Sequence, residues 1–176
     1  MDNSGDLLTR LRRIKLFLCD VDGVLTEAQV TMGGPTETKA FHIRDGLGMR
    51  LLQDEGIKVG WVSARPSVAT TLRAADLKID FLHQSSTPKV QAIEEILAQT
   101  GLTWAETVYI GDDVVDLGAL KRAGVAAVPA DAIAEGKELA HYICAMPGGR
   151  GAVREVVDLV LQAQGRWEAM INKYSA

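Results

Sequence analysis

Short apolar runs rich in strand formers alternate along this chain with stretches of helical periodicity, and that alternation most constrains its fold. Residues 14–18, 57–63, 79–82, 107–110, 125–128 and 142–144 read as strands. Between them, 45–56, 67–75, 89–101, 116–123 and 132–139 carry helical patterning, with Asp45 placed to cap the first of these and Pro88 at the start of the third. Strands joined through helices pair in parallel and lie buried on both faces, which suits apolar runs without alternation. The pattern predicts an α/β fold: a single three-layer, Rossmann-like domain over 1–176 with a mainly parallel sheet.

Two segments depart from the alternation. Residues 29–32 and 37–43 read as a β-hairpin around Gly33, Gly34 and Pro35, an insertion over about 27–43 that is too small to be a domain. Near the C-terminus, Gly148, Gly149, Arg150 and Gly151 open a tail over about 147–176, in which Val153, Val156, Val157, Val160 and Leu161 make the apolar stripe of one long helix.

Composition narrows the possible partners. With 47% hydrophobic and 24% charged residues the chain is of ordinary globular type. Nineteen Lys+Arg against 23 Asp+Glu give a net charge of -4, which argues against nucleic acid as the main partner. No run is long and apolar enough to span a membrane, and the N-terminal stretch has no secretory h-region, so a cytoplasmic protein is expected. Cys19 and Cys144 lie in apolar runs and read as buried thiols rather than a disulfide.

The chemistry gathers where the strands end. Asp20 and Asp22 follow the first strand, with Gly23 permitting a close backbone approach. Ser63 ends the second strand, Lys89 follows the third, and Asp112 and Asp113 follow the fourth, with Asp116 close behind. In a parallel sheet the carboxyl ends of the strands share one edge, so these groups converge. Each has an ordinary explanation alone: a turn, a helix cap, a surface lysine. Their recurrence at successive strand ends favours one site. Asp20 and Asp112 brought together repel unless a hard dication lies between them, and Mg²⁺ takes oxygen ligands. Ser63 and Lys89 then suit phosphate oxygens, and a carboxylate whose charge is so compensated can attack phosphorus. Asp20 is the expected nucleophile. Asp22 is the expected acid/base for the leaving oxygen and the attacking water, with its backbone carbonyl available to the metal. Asp113 and Asp116 are expected behind these, orienting metal-bound water or Lys89. Receiver domains share this inventory, but their phosphorylated Asp ends the third strand, whereas here the first strand carries Asp-x-Asp-Gly.

Taken in order, Asp20-Val-Asp-Gly-Val-Leu, Ser63, Lys89 and Gly111-Asp-Asp-x-x-Asp resemble the motifs of the haloacid dehalogenase superfamily of phosphatases over nearly the whole chain. Lys39-Ala-Phe-His-Ile-Arg-Asp-Gly-Leu-Gly and Gly148-Gly-Arg-Gly-Ala-Val-Arg-Glu resemble a smaller group within it. That group acts on 3-deoxy-D-manno-octulosonate 8-phosphate in lipopolysaccharide sugar synthesis. The resemblance implies Mg²⁺ held by Asp20, the Asp22 carbonyl and Asp112, phosphate on Ser63 and Lys89, and no cap domain. It also implies a homotetramer, in which the insertion packs against its copies and the tail around Arg150 reaches a neighbour's site. The substrate's carboxylate calls for guanidinium groups, and Arg65 and Arg73 are the candidates beside Arg150. Related phosphatases of nine-carbon keto-acids (sialic acid or its deaminated analogue) tend to have Glu where Arg65 stands. The runners-up are thus a nine-carbon substrate, or an assembly module without catalysis. Three features depart from the group's pattern: Ala64 replaces a glycine, His42 an expected asparagine, and 83–88 lacks the usual glycines.

Overall fold

The computed structural model describes residues 3–32 and 37–175. Its centre is a six-stranded sheet in the order β3-β2-β1-β4-β5-β6, and every pairing between these strands is parallel. The strands are β1 (Leu16–Cys19), β2 (Lys58–Ser63), β3 (Phe81–Gln84), β4 (Thr107–Ile110), β5 (Val125–Val128) and β6 (Tyr142–Ile143). The helices are α1 (Asn3–Leu11), α2 (Ile43–Asp54), α3 (Val68–Leu77), α4 (Lys89–Thr100), α5 (Leu117–Leu120), α6 (Ala134–Leu139), α7 (Ala152–Ala163) and α8 (Trp167–Ser175).

Successive side chains of a strand point to opposite faces, so β1 divides its residues between two apolar layers. Phe17 and Cys19 join Met49 and Leu52 of α2 and Val153, Val156, Val157 and Val160 of α7 on one face. Leu16 and Leu18 join Ala92, Ile93 and Ile96 of α4 and Leu120 of α5 on the other. Burial of β1 on both sides is why its sequence shows no alternation. The chain builds β1, β2 and β3 outward in one direction, then returns to place β4 against the opposite side of β1. Strand order therefore reverses between β1 and β4, and the crevice beyond their carboxyl ends is where such sheets hold ligands. A receiver-type sheet has a different order, so the topology also separates the two readings.

Several expected elements are corrected. Among the described residues the insertion retains a single antiparallel bridge, Thr31 with Thr38, instead of two strands; Gly33, Gly34 and Pro35 lie outside the described residues. The helix expected from Asp45 starts at Ile43, with His42 as its N-cap. Asp45 sits in the first turn, and its Oδ1 accepts from Arg154 N at 2.8 Å, satisfying a free donor at the start of α7. The C-terminal helix is broken at Gly165 (φ +69), dividing α7 from α8. Residues 114–116 form a 3₁₀ turn before the short α5. Both cysteines are free and buried. No helix is long and apolar enough to cross a membrane among the described residues.

Candidate active site

Asp20 leaves β1 with its N–H donated to Ile110 O of β4 at 2.9 Å, which fixes its backbone at the switch point. Its Oδ1 accepts from Val21 N at 2.7 Å and its Oδ2 lies 2.9 Å from Lys89 Nζ. Burial, and to a smaller extent the Asp116 carboxylate, push the Asp20 carboxyl up to about 6 against the pull of Lys89. Lys89 opens α4 directly after Pro88, so the start of that helix delivers the ammonium into the crevice. It is 4% exposed, and its Nζ also meets Asp116 Oδ1 at 2.6 Å. Burial alone pulls its pKa down, but Asp20 and Asp116 outweigh it and hold the lysine protonated.

Asp116 is the hub behind this pair. Its carboxylate accepts from Lys89 Nζ, from Tyr109 OH at 2.5 Å, and from the N–H groups of Asp112 and Asp113 at 3.1 and 3.2 Å. Ligand atoms of Asp20, Asp112 and Asp116 lie within 4.8 Å of one another. Asp116 spends its oxygens on these four donors, so the pair open to a cation is Asp20 and Asp112. Asp112 Oδ1 is buried with no hydrogen-bond partner. Burial first, then the carboxylates of Asp20, Asp116 and Asp113, raise Asp112 to about 7, with Lys89 opposing. A buried acceptor without a donor, in a carboxyl that resists ionising, fits a metal ligand.

Gly23 shows how closely the loop passes. Its φ is +92°, and a Cβ there would fall 2.0 Å from Asp112 Oδ2, so any side chain would displace that carboxylate. Ser63 ends β2, buried, and its hydroxyl exchanges bonds with the Arg65 backbone, accepting from N at 3.2 Å and facing O at 3.1 Å. Ala64 requires no glycine: among the described non-glycine residues, positive φ falls at Ala28 and Lys78. Asp20, Asp22, Ser63, Arg65, Lys89 and Asp112 line one cleft of about 280 Å³.

The remaining expected residues divide. Asp113 lines the cleft, but its side chain is exposed and caps the 3₁₀ turn, accepting from Val114 N at 2.7 Å; it does not reach Lys89. Arg65 faces the cleft but already meets a carboxylate, donating through Nη1 to Glu37. In the single chain Arg73 does not line this cleft; it pairs with Asp76 at 2.6 Å and lies against Gly46 of α2. Arg150 pairs with Glu27 at 2.9 Å. Within the single chain, Gly149 N donates to Val24 O at 2.9 Å, so the tail lies on the Asp20 loop. His42 is half-buried, its Nδ1 3.8 Å from Asp45 Oδ2.

Sequence reasoning missed Lys39, Glu37 and Tyr109. Lys39 comes from the insertion, and its Nζ lies 2.7 Å from Asp22 Oδ1. Its signal was a cation at the head of the Lys39-Ala-Phe-His-Ile-Arg-Asp motif. For Tyr109 it was a hydroxyl inside an otherwise apolar strand.

Comparison with known proteins agrees with this geometry. Residues 48–124 match the model of the haloacid dehalogenase-like hydrolases. The chain is 40% identical over 158 residues to the 3-deoxy-D-manno-octulosonate 8-phosphate phosphatase of Haemophilus influenzae, covering 89% of this chain and 88% of that one. It is 39% identical over 166 residues to that of Yersinia pestis, covering 94% and 89%. The crystal structure of the Moraxella catarrhalis phosphatase, in complex with magnesium ion, phosphate ion and a KDO molecule, superposes with a TM-score of 0.94. It is 34% identical and the match covers 97% of this chain and 99% of that one. The chain belongs to the haloacid dehalogenase-like hydrolases, in the family of the 3-deoxy-D-manno-octulosonate 8-phosphate phosphatases, and is a phosphoric monoester hydrolase.

Proposed function

We propose that residues 1–176 act as one Mg²⁺-dependent phosphatase domain that hydrolyses 3-deoxy-D-manno-octulosonate 8-phosphate through an aspartyl-phosphate. The observation that carries the reading is the Asp20–Lys89–Asp116 chain beside the unpartnered Asp112 carboxylate at the switch point. Asp20 and Asp112 would hold the metal, with the Asp22 carbonyl as a third ligand. Bound there, Mg²⁺ supplies positive charge that lets carboxylates and phosphate share one space.

Lys89 and the Ser63 hydroxyl bind phosphate oxygens. Lys89 also holds Asp20 Oδ2, so nucleophile and phosphate sit on one ammonium. Asp20 attacks phosphorus and the bond to the sugar oxygen breaks, that oxygen taking a proton from Asp22. Asp22 then takes a proton from water as the water attacks phosphorus, the Asp20–phosphorus bond breaks, and inorganic phosphate leaves. Asp116 is a positioning residue that holds Lys89 and the Asp112 backbone.

Substrate choice rests on the relatives' activity and on Arg65, the guanidinium that faces the cleft. Arg150 is proposed to act on a neighbour's substrate in a homotetramer, whose contacts would cover the exposed Met32, Ile43, Val68 and Leu72. The absence of a membrane-spanning helix among the described residues is compatible with a cytoplasmic place in lipopolysaccharide sugar synthesis. A panel of sugar-acid phosphates assayed with Mg²⁺ tests the substrate. The octulosonate 8-phosphate is expected to give the highest kcat/KM, and preference for a nine-carbon keto-acid phosphate would overturn the assignment.

A further inference from the structure

The Lys39 side chain is buried, although the residue's backbone is partly exposed. Its side chain is 0% exposed, and its Nζ lies 2.7 Å from Asp22 Oδ1, 3.9 Å from Glu37 Oε1 and 3.3 Å from Thr70 Oγ1. A buried ammonium is costly unless paired, so the pairing with Asp22 and Glu37 is what permits the position. Asp22 Oδ2 lies 3.6 Å from Arg65 Nε, and Arg65 Nη1 in turn donates to Glu37. The cations Lys39 and Arg65 and the carboxylates Asp22 and Glu37 thus form one closed cluster, with Lys39 and Glu37 supplied by the insertion and Asp22 and Arg65 by the cleft. The Asp22 carboxylate belongs to this cluster, and the acidic group around the metal position consists of Asp20, Asp112 and Asp116. The two carboxylates of Asp-x-Asp-Gly are held by different lysines on different sides: Asp20 by Lys89 from α4, Asp22 by Lys39 from the insertion.

We infer that Lys39 is a positioning residue that holds the Asp22 carboxylate on the leaving-group side of the cleft. This rests on the reading of Asp22 as the group that protonates the departing oxygen. The insertion then serves the chemistry of its own chain, and Glu37 steadies both cations of the cluster. Hydrogen bonding to Ser67 and Arg65 lowers the Glu37 carboxyl from its ordinary value.

A sugar alkoxide leaves poorly without a proton, whereas p-nitrophenolate leaves without one, so the two substrates separate proton delivery from everything else in the site. The value of kcat/KM reports steps up to cleavage of the ester bond, before Asp22 is needed as a base. Positioned acid catalysis contributes about 10²- to 10⁴-fold, so Lys39→Met, which keeps the length of the side chain, is expected to lower kcat/KM for the sugar-acid phosphate about 100-fold. For p-nitrophenyl phosphate the same variant should lose at least about tenfold less than for the sugar-acid phosphate, and Asp22→Asn should show the same selectivity at larger amplitude. If Lys39→Met does not fold, Lys39→Gln is judged by the same ratio. Equal losses on both substrates in the Lys39 variants, with selectivity retained in Asp22→Asn, would overturn the positioning role alone. Equal losses in Asp22→Asn as well would overturn the acid role and this inference with it.

Discussion

Removing the divalent cation should make the protein's stability fall as pH rises through neutrality, and Asp112 should account for most of that slope. In the metal-free fold, burial and the neighbouring carboxylates raise this carboxyl from 3.8 to about 7. Between those values the folded protein holds a proton that the unfolded chain has released, so stability declines with rising pH. The penalty is absent below about pH 4, grows through pH 5 and 6, and is complete above about pH 7. At about 1.4 kcal/mol per pH unit it reaches no more than about 4 kcal/mol, less whatever solvent in the cleft screens. For a chain of this length each kcal/mol moves Tm by about 2–4 °C, so the full effect is on the order of 10 °C. Asp20, raised to about 6 mainly by burial, adds in the same direction at lower pH. Mg²⁺ must displace these protons, so its apparent affinity should rise roughly tenfold per pH unit between about pH 6 and 7, up to roughly a hundredfold per unit below about pH 6, and level off above about pH 7. The assay is thermal unfolding from pH 5 to 8 with and without MgCl₂, on wild type and Asp112→Asn. Other titrating groups, Asp45 and Asp158 among them, are common to both proteins and cancel in the comparison. Metal-free Asp112→Asn should lose most of the decline and the Mg²⁺-induced rise in Tm. A Mg²⁺ shift that is equal at pH 5.5 and pH 8, or an unchanged slope in the variant, would refute this reasoning.

Two further perturbations probe what surrounds the carboxylates. A Cβ at Gly148 would fall 1.8 Å from Gly23 O, so Gly148→Ala must lift the tail off the Asp20 loop. It is expected to lower kcat/KM by at least tenfold while the sheet stays folded by circular dichroism, and wild-type kinetics would show that the contact is dispensable. Tyr109→Phe removes the hydroxyl that donates to Asp116 at 2.5 Å inside a fully buried site. Loss of a hydrogen bond to a buried charge is expected to cost about 1.5–3 kcal/mol in urea unfolding, and a change below ~0.5 kcal/mol would exclude that role.

Much of this was legible in the sequence because burial on both faces leaves a simple trace. The β1, β2, β4 and β5 runs are continuous and apolar, so strand number, parallel pairing and the carboxyl-end placement of Asp20, Ser63 and Asp112 could all be read. The insertion was harder, since period-two alternation in 29–43 describes a strand only if a partner pairs with it, and one bridge is all the described residues keep. Asp45 looked like a helix cap because caps are acidic and precede apolar spacing. Its true partner, Arg154 N, is 109 residues away and leaves no local trace. Arg73 shows a related difficulty: helical spacing sets a face but not which wall that face meets, and in the single chain that residue does not line the cleft. Lys39 and Glu37 were overlooked as site residues because they act from a segment that looks like a connection, and only the folded chain brings Lys39 to Asp22 and Glu37 to Arg65.

In the proposed cycle Asp20 becomes covalently phosphorylated. Acid quenching during steady-state turnover, followed by borohydride reduction and peptide mass spectrometry, reads this directly, since an aspartyl-phosphate is reduced to homoserine. Homoserine at position 20 in wild type, and none in an inactive Asp20→Asn variant, is the predicted result. Homoserine at another carboxylate, or undiminished turnover by Asp20→Asn, would contradict the account.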